Sequence, residues 1–165
     1  MRSRLSRRAL LVVLALGVAQ LAASCGGSSR LSEAAYRTQL AAINREVSNA
    51  ADAARGAIVP NSSVQQIRSA LQAFAVVQQR AGDKVAKLRP PKKAESANAL
   101  LARGLRDLAA ETRPIVQRLA SAQSSKQALG IVRGSALQDP NARGIREINR
   151  AVTSLRKLGF PTGLG

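Results

Sequence analysis

Few groups in this chain could do chemistry, and their spacing limits what they can do. Cys25 is the sole thiol, and there is no histidine. A thiolate is a nucleophile and an acyl acceptor, whereas the missing imidazole removes the commonest general base and metal ligand. Asp107 and Glu111 are the nearest paired carboxylates, one helical turn apart, with Arg103 four residues before Asp107. Glu147 stands between Arg143 and Arg150 at similar spacing. This spacing makes exposed, ion-paired helix faces rather than an acid–base pair. Ser124-Ser125-Lys126 sets hydroxyls beside an amine. Adjacent helical residues do not face each other, and no nucleophile-elbow pattern surrounds them. With Gln127 three residues after Ser124, these serines read as helix caps. Carboxylates alone make a poor zinc site. No catalytic residue, metal or cofactor is therefore expected, and an enzyme is the least favoured reading.

The surroundings of Cys25 give it a specific meaning. Arg2, Arg4, Arg7 and Arg8 precede an uncharged, mostly apolar run from Ala9 to Ala23, interrupted by Gln20 and followed by the small residue Ser24. A basic start, a short apolar stretch and small residues form the plan of a secretory signal. The run is shorter than the roughly 20 apolar residues of a spanning helix. Leu21-Ala22-Ala23-Ser24-Cys25 resembles the lipobox of bacterial lipoproteins, although Ala22 stands where that family more often has Leu. The resemblance covers residues 2–25 only. It implies a cut before Cys25, diacylglycerol on its thiol, and a mature chain tied by lipid to the outer side of the cell membrane. Gly26-Gly27-Ser28-Ser29 would follow as a flexible tether. An ordinary secretory cut before an incidental thiol, or a short membrane anchor, is the competing reading.

The expected organisation is a signal at 1–24, a lipidated cysteine and tether at 25–31, a helical body at 32–159 and a tail at 160–165. Of the 165 residues, 141 remain after the cut, enough for one ordinary domain. Losing four of 26 basic residues leaves 22 against nine acidic ones, a net charge of +13. Aromatics are confined to Tyr36, Phe74 and Phe160. The core must be built from Leu, Ile, Val and Ala. Positive charge invites nucleic acid as a partner, but export and the lack of stacking aromatics argue against it.

Apolar residues recur at three- and four-residue steps, the period of a helix face. Tyr36, Leu40, Ile43, Val47, Ala50 and Ala54 predict a helix from Ser32 to Gly56, capped by Ser32 and closed by Gly56 and Pro60. Val64, Ile67, Leu71, Phe74, Ala81, Val85 and Leu88 predict a second, opened by a Ser62–Gln65 capping box and ended at Arg89-Pro90-Pro91. Leu101, Leu105, Leu108, Ile115, Leu119 and Ala122 predict a third over Lys92–Gln123, with a kink at Pro114. A fourth is split. A weak piece spans Ser125–Arg133, and a second begins at Asp139-Pro140, with Ile145, Ile148, Val152 and Leu155 on its stripe and Gly159 closing it. Gly130 and Gly134 form a GxxxG spacing that either weakens the helix or allows a close approach. The pattern is all-α and favours an antiparallel up-down four-helix bundle.

That topology sorts the charges. The tether, the second–third connection and the end of the last helix fall at one pole. Lys84, Lys87, Arg89, Lys92, Lys93, Arg156 and Lys157 gather there, with Arg30 in the tether, against Asp83 and Glu95. Such a pole is a candidate contact for an anionic surface, each cation near it being worth about 1 kcal/mol. Lys84, Lys87, Arg156 and Lys157 also suit the negative ends of two helices, whereas Lys92 and Lys93 begin a helix, where cations are disfavoured. Ile58-Val59 would sit at the opposite tip, covering the core end. Phe160-Pro161 either packs under the base or dips into the interface. The expected function is non-catalytic: a binding or scaffold domain anchored through acylated Cys25, touching anionic lipid, an envelope polymer or a protein. The alternative is a small-molecule carrier or sensor with a cavity between helices, near Asn44, Thr112 or Asn149.

Overall fold

The computed structural model describes residues 29–160, whose regular structure is entirely helical. The export signal, Cys25, the first tether residues and the tail beyond Phe160 lie outside the described residues. Five α-helices follow in order: α1 Glu33–Ala57, α2 Val64–Lys87, α3 Glu95–Leu119, α4 Ser125–Arg133 and α5 Arg143–Lys157. Short 3-10 turns at Lys92–Ala94 and Ala136–Gln138 precede α3 and α5.

Local chemistry accounts for most of the boundaries. The Ser32 hydroxyl accepts the Ala35 N–H at 3.2 Å and opens α1. The helix runs one residue beyond the predicted Gly56 stop and is closed by the Ile58 N–H on the Ala54 and Arg55 carbonyls. Ile58, at φ −96° and ψ 63°, leaves helical backbone two residues before Pro60, so Gly56 is an ordinary helical residue. The capping box of α2 is Ser63 with Gln66, one position later than Ser62 with Gln65. Ser62 is engaged instead as the last residue of the turn, its N–H on the Val59 carbonyl at 3.0 Å. α3 is continuous across Pro114 and ends at Leu119, before the predicted Gln123. Pro114 offers no N–H to the Ala110 carbonyl, and α3 continues through it without a break.

The largest departure is at Asp139-Pro140. These residues form a β-turn, with the Ala142 N–H on the Asp139 carbonyl at 3.0 Å and the Asn141 N–H on its carboxylate at 2.8 Å. Asp followed by Pro suits a turn as well as a helix start, and α5 begins only at Arg143. At the far end of α5, Gly159 takes φ +80°. Its N–H reaches the Arg156 carbonyl at 3.0 Å and the Phe160 N–H reaches that of Leu155 at 2.8 Å. This is a Schellman closure, and the left-handed glycine turns Phe160 back under the body. Phe160 is fully buried, so the core extends one residue past the predicted boundary at 159.

Helix α1 packs on α2, α2 on α3 and α3 on α5, while α4 and the turn after it lean on α3. The α3–α5 crossing is very close. A Cβ on Gly144 would stand 2.5 Å from the Leu108 nitrogen, and one on Gly104 would stand 2.8 Å from the Ile148 nitrogen. Gly130, by contrast, faces open space, and Gly134 meets only its own helix, so the GxxxG spacing makes no helix contact. The core has two centres. One joins Tyr36, Leu40, Val85, Leu101, Leu105, Leu155 and Phe160. The other joins Ile67, Leu71, Ile115, Leu119, Leu129 and Val132 at the opposite end, with Ile58 against it and Val59 exposed.

Candidate functional site

Three distant segments meet at the start of α1. The Leu31 N–H donates to the Arg89 carbonyl at 2.7 Å. Arg30 donates to the Pro90 carbonyl at 3.3 Å and pairs with Glu95. Phe160 arrives from the end of α5 and meets Tyr36 edge to face, with ring centroids 5.2 Å apart. Lys93 lies 5.2 Å and Arg37 5.5 Å from the centroid of the same ring, within cation–π range. The segment leading into α1, the α2–α3 connection and the end of α5 therefore share one pole. Beneath it Tyr36 donates to the Asn98 side-chain oxygen at 3.0 Å, and the Asn98 amide donates to the Val85 carbonyl at 3.0 Å. Burial pushes the Tyr36 hydroxyl up to about 12, because the phenolate would lose its hydration.

The seven cations assigned to this pole do not behave alike. Lys93 is held by Glu33 at 2.6 Å, and its hydrogen bond is the main cause that holds the Glu33 carboxyl below its ordinary value. Lys84 is bound to Glu46 at 2.6 Å. Glu46 lies 13 residues into α1 from Glu33, about 20 Å along the axis, so Lys84 braces the flank rather than the pole. Lys87, Arg89, Lys92 and Lys157 are exposed and make no close ion pair with a described carboxylate, although the charge of Lys87 helps hold the Asp83 carboxyl below its ordinary value. Arg156 is exposed as well and has an interaction of its own. Lys92 and Lys93 sit in the 3-10 turn before α3, whose first α-helical residue is Glu95, so the acid rather than either lysine meets the positive helix end. A cleft of about 370 Å³ opens beside Arg30, Arg89 and Glu95.

The carboxylates near the middle of α3 hold helices together. Asp107 pairs with Arg143 at 2.9 Å, not with Arg103, and Arg103 pairs with Glu147 at 3.2 Å. Glu147 lies 3.8 Å from Arg143, and Arg150 is not its partner. Glu111 accepts the Gly144 N–H at 3.2 Å. Ala142, the cap position of α5, offers no side-chain acceptor. Asp107 and Glu111 thus supply negative charge to the start of α5 from the neighbouring helix. Ser124 accepts the Gln127 N–H at 3.2 Å, as a cap does. Among the described residues no group of three or more His, Cys, Asp or Glu side chains could hold a metal ion, and no helix is long and apolar enough to cross a membrane.

Buried polar groups fall partly where periodicity does not indicate. Thr112 is fully buried and satisfies itself on the Leu108 carbonyl at 2.7 Å. Asn149 is exposed and Asn44 half-buried. Asn98 and Gln78 are buried instead. Gln78 carries a signal in hindsight, lying seven residues after the core residue Leu71 and seven before Val85. Clefts of about 460 Å³ between α2 and α3 and about 250 Å³ beside Phe74 and Ile145 both open to solvent. No protein-family model, curated protein or solved structure matches the chain.

Proposed function

We propose that the chain is an exported lipoprotein, anchored through acylated Cys25, whose mature part is a non-catalytic up-down-up-down four-helix bundle that docks its basic pole on an anionic membrane surface. The observation that carries this reading is the junction of three segments at one pole, made by the Leu31–Arg89 bond and the Phe160–Tyr36 contact. A tether leaving from Leu31 brings that pole to the bilayer first. Lys87, Arg89, Lys92 and Lys157 are then the cations with charge to offer, at about 1 kcal/mol each near anionic lipid. Arg156 adds to the same end. The pairing of α1 with α2, α2 with α3 and α3 with α5 supports the bundle order, with α4 as a cap on the far end. The reading of a carrier with a cavity enclosed between helices has weaker support, since both interhelical clefts are solvent-facing grooves on the surface.

Vesicle binding tests the docking. Residues 26–165, free of acyl groups, are mixed with phosphatidylglycerol vesicles and separately with phosphatidylcholine vesicles. Co-sedimentation with the anionic vesicles alone is expected, with release as salt screens the charges. Replacing Lys87, Arg89, Lys92 and Lys157 together by Gln should remove most of the binding. Equal binding to both lipids, or indifference to salt, overturns the reading.

A further inference from the structure

We infer that the groove between α2 and α3 is a binding site for an oxyanion carrying a compact apolar body, a carboxylate or phosphate of small-molecule size. The inference goes beyond docking at the pole and does not rest on it, because the groove runs along the flank of the two helices. Its volume of about 460 Å³ is that of an ordinary ligand site. Arg68, Arg80 and Arg113 line it together with Val76 and Val116, and no acidic residue lines it.

Two observations separate this groove from the general excess of arginine. The first is the state of the guanidiniums. None of the three makes an ion pair with a described carboxylate. The Nε of Arg68 is buried and has no acceptor among the described residues, which leaves the outer nitrogens of its guanidinium as the groove's donors. Arg113 is oriented by the Gln79 side-chain oxygen at 3.2 Å, which fixes the fork without neutralising it. The nearby Asp83 accepts from Arg106 at 2.8 Å and from the Gln79 amide at 3.4 Å, so its charge is shared with a groove residue that is itself neutral. The second is the floor. Val76 is 42 % exposed, one of two large apolar side chains so exposed among the described residues, and it lines the groove together with the arginines. Guanidinium forks bind carboxylate and phosphate oxygens in pairs, and the valines would cover the apolar part of the same molecule.

Calorimetric titration of the full chain with phenyl phosphate tests this, with inorganic phosphate, benzoate and benzyl alcohol alongside. Saturable one-site binding of phenyl phosphate or benzoate is expected, at least tenfold tighter than inorganic phosphate and absent for the alcohol. Benzoate against phenyl phosphate tells a carboxylate preference from a phosphate one. Val76→Asp, at an exposed position, and Arg113→Gln should each weaken binding by tenfold or more while helical circular dichroism is unchanged. Arg150→Gln on α5 should leave it unaltered. Phenyl phosphate and benzoate both binding no tighter than inorganic phosphate would refute the site, as would equal losses from Arg113→Gln and Arg150→Gln, since both describe diffuse charge.

Discussion

Tyr36 is the only tyrosine and no tryptophan accompanies it, so its ionisation can be read without interference. It is fully buried, and its hydroxyl and Asn98 satisfy each other beneath the basic pole. The folded chain should show tyrosinate absorbance only near pH 12, against the ordinary value of 10.0 after unfolding. The folded value is raised, so the stabilisation is complete below pH 10.0 and is lost as pH rises toward 12. Over that window the slope is about 1.4 kcal/mol per pH unit. Tyr36→Phe should abolish the slope. At neutral pH it should cost about 1–3 kcal/mol in a urea melt, because the Asn98 oxygen is left buried and unpaired. Tyr36 was readable as a core residue from its place on the α1 stripe. Asn98 was not, because nothing local announces a partner 62 residues away.

Helix crossings and helix ends depend on single glycines in opposite ways. Gly130→Ala meets open space in α4 and should stabilise by about 0.5–1 kcal/mol through helix propensity. Gly144→Ala drives a methyl into the α3 backbone at Leu108 and should destabilise by about 1–3 kcal/mol. Both are glycines within predicted helices, and thermal melts should move in opposite directions. Gly159→Ala tests the α5 closure: its φ of +80° is left-handed, and an L side chain there costs about 1–2 kcal/mol. The melting temperature should fall, and the tyrosine titration should shift toward its ordinary value as Phe160 loosens over Tyr36. The Gly159 stop was legible from the glycine following a periodic stripe. The turn at Asp139-Pro140 was misread because its residues suit two local structures, and only the packing of α5 against α3 chooses between them.

The chain as a unit is organised by charge and by where its ends meet. Lys87, Arg89, Lys92 and Lys157 stay exposed at the pole, and an acyl chain on Cys25 would hold them at a bilayer surface. Intact mass of the native protein should therefore show loss of residues 1–24 together with added acyl mass. A Cys25→Ala variant should lack the acyl mass and retain the uncut signal. Docking and anchoring are separable. A soluble mature chain that still binds anionic vesicles would preserve the polar contact without the lipid, whereas a lipidated chain indifferent to vesicle charge would preserve the anchor alone.

Apolar period, serine caps and proline stops by themselves determined that the body is built of α-helices and which stripe of α1 and α2 is buried. These are contacts within one or two turns, and their chemistry is local. Tertiary structure alone decided which cations stay unpaired. Lys84 is engaged by a carboxylate 38 residues away and Lys93 by Glu33, while Asp107 turns to Arg143 on another helix. It also decided that Phe160 packs under the body and that α2 and α3 leave an arginine-lined groove. A charge pair or a cleft depends on which faces of separate helices come together, and that is set by packing over long sequence separation rather than by spacing along the chain.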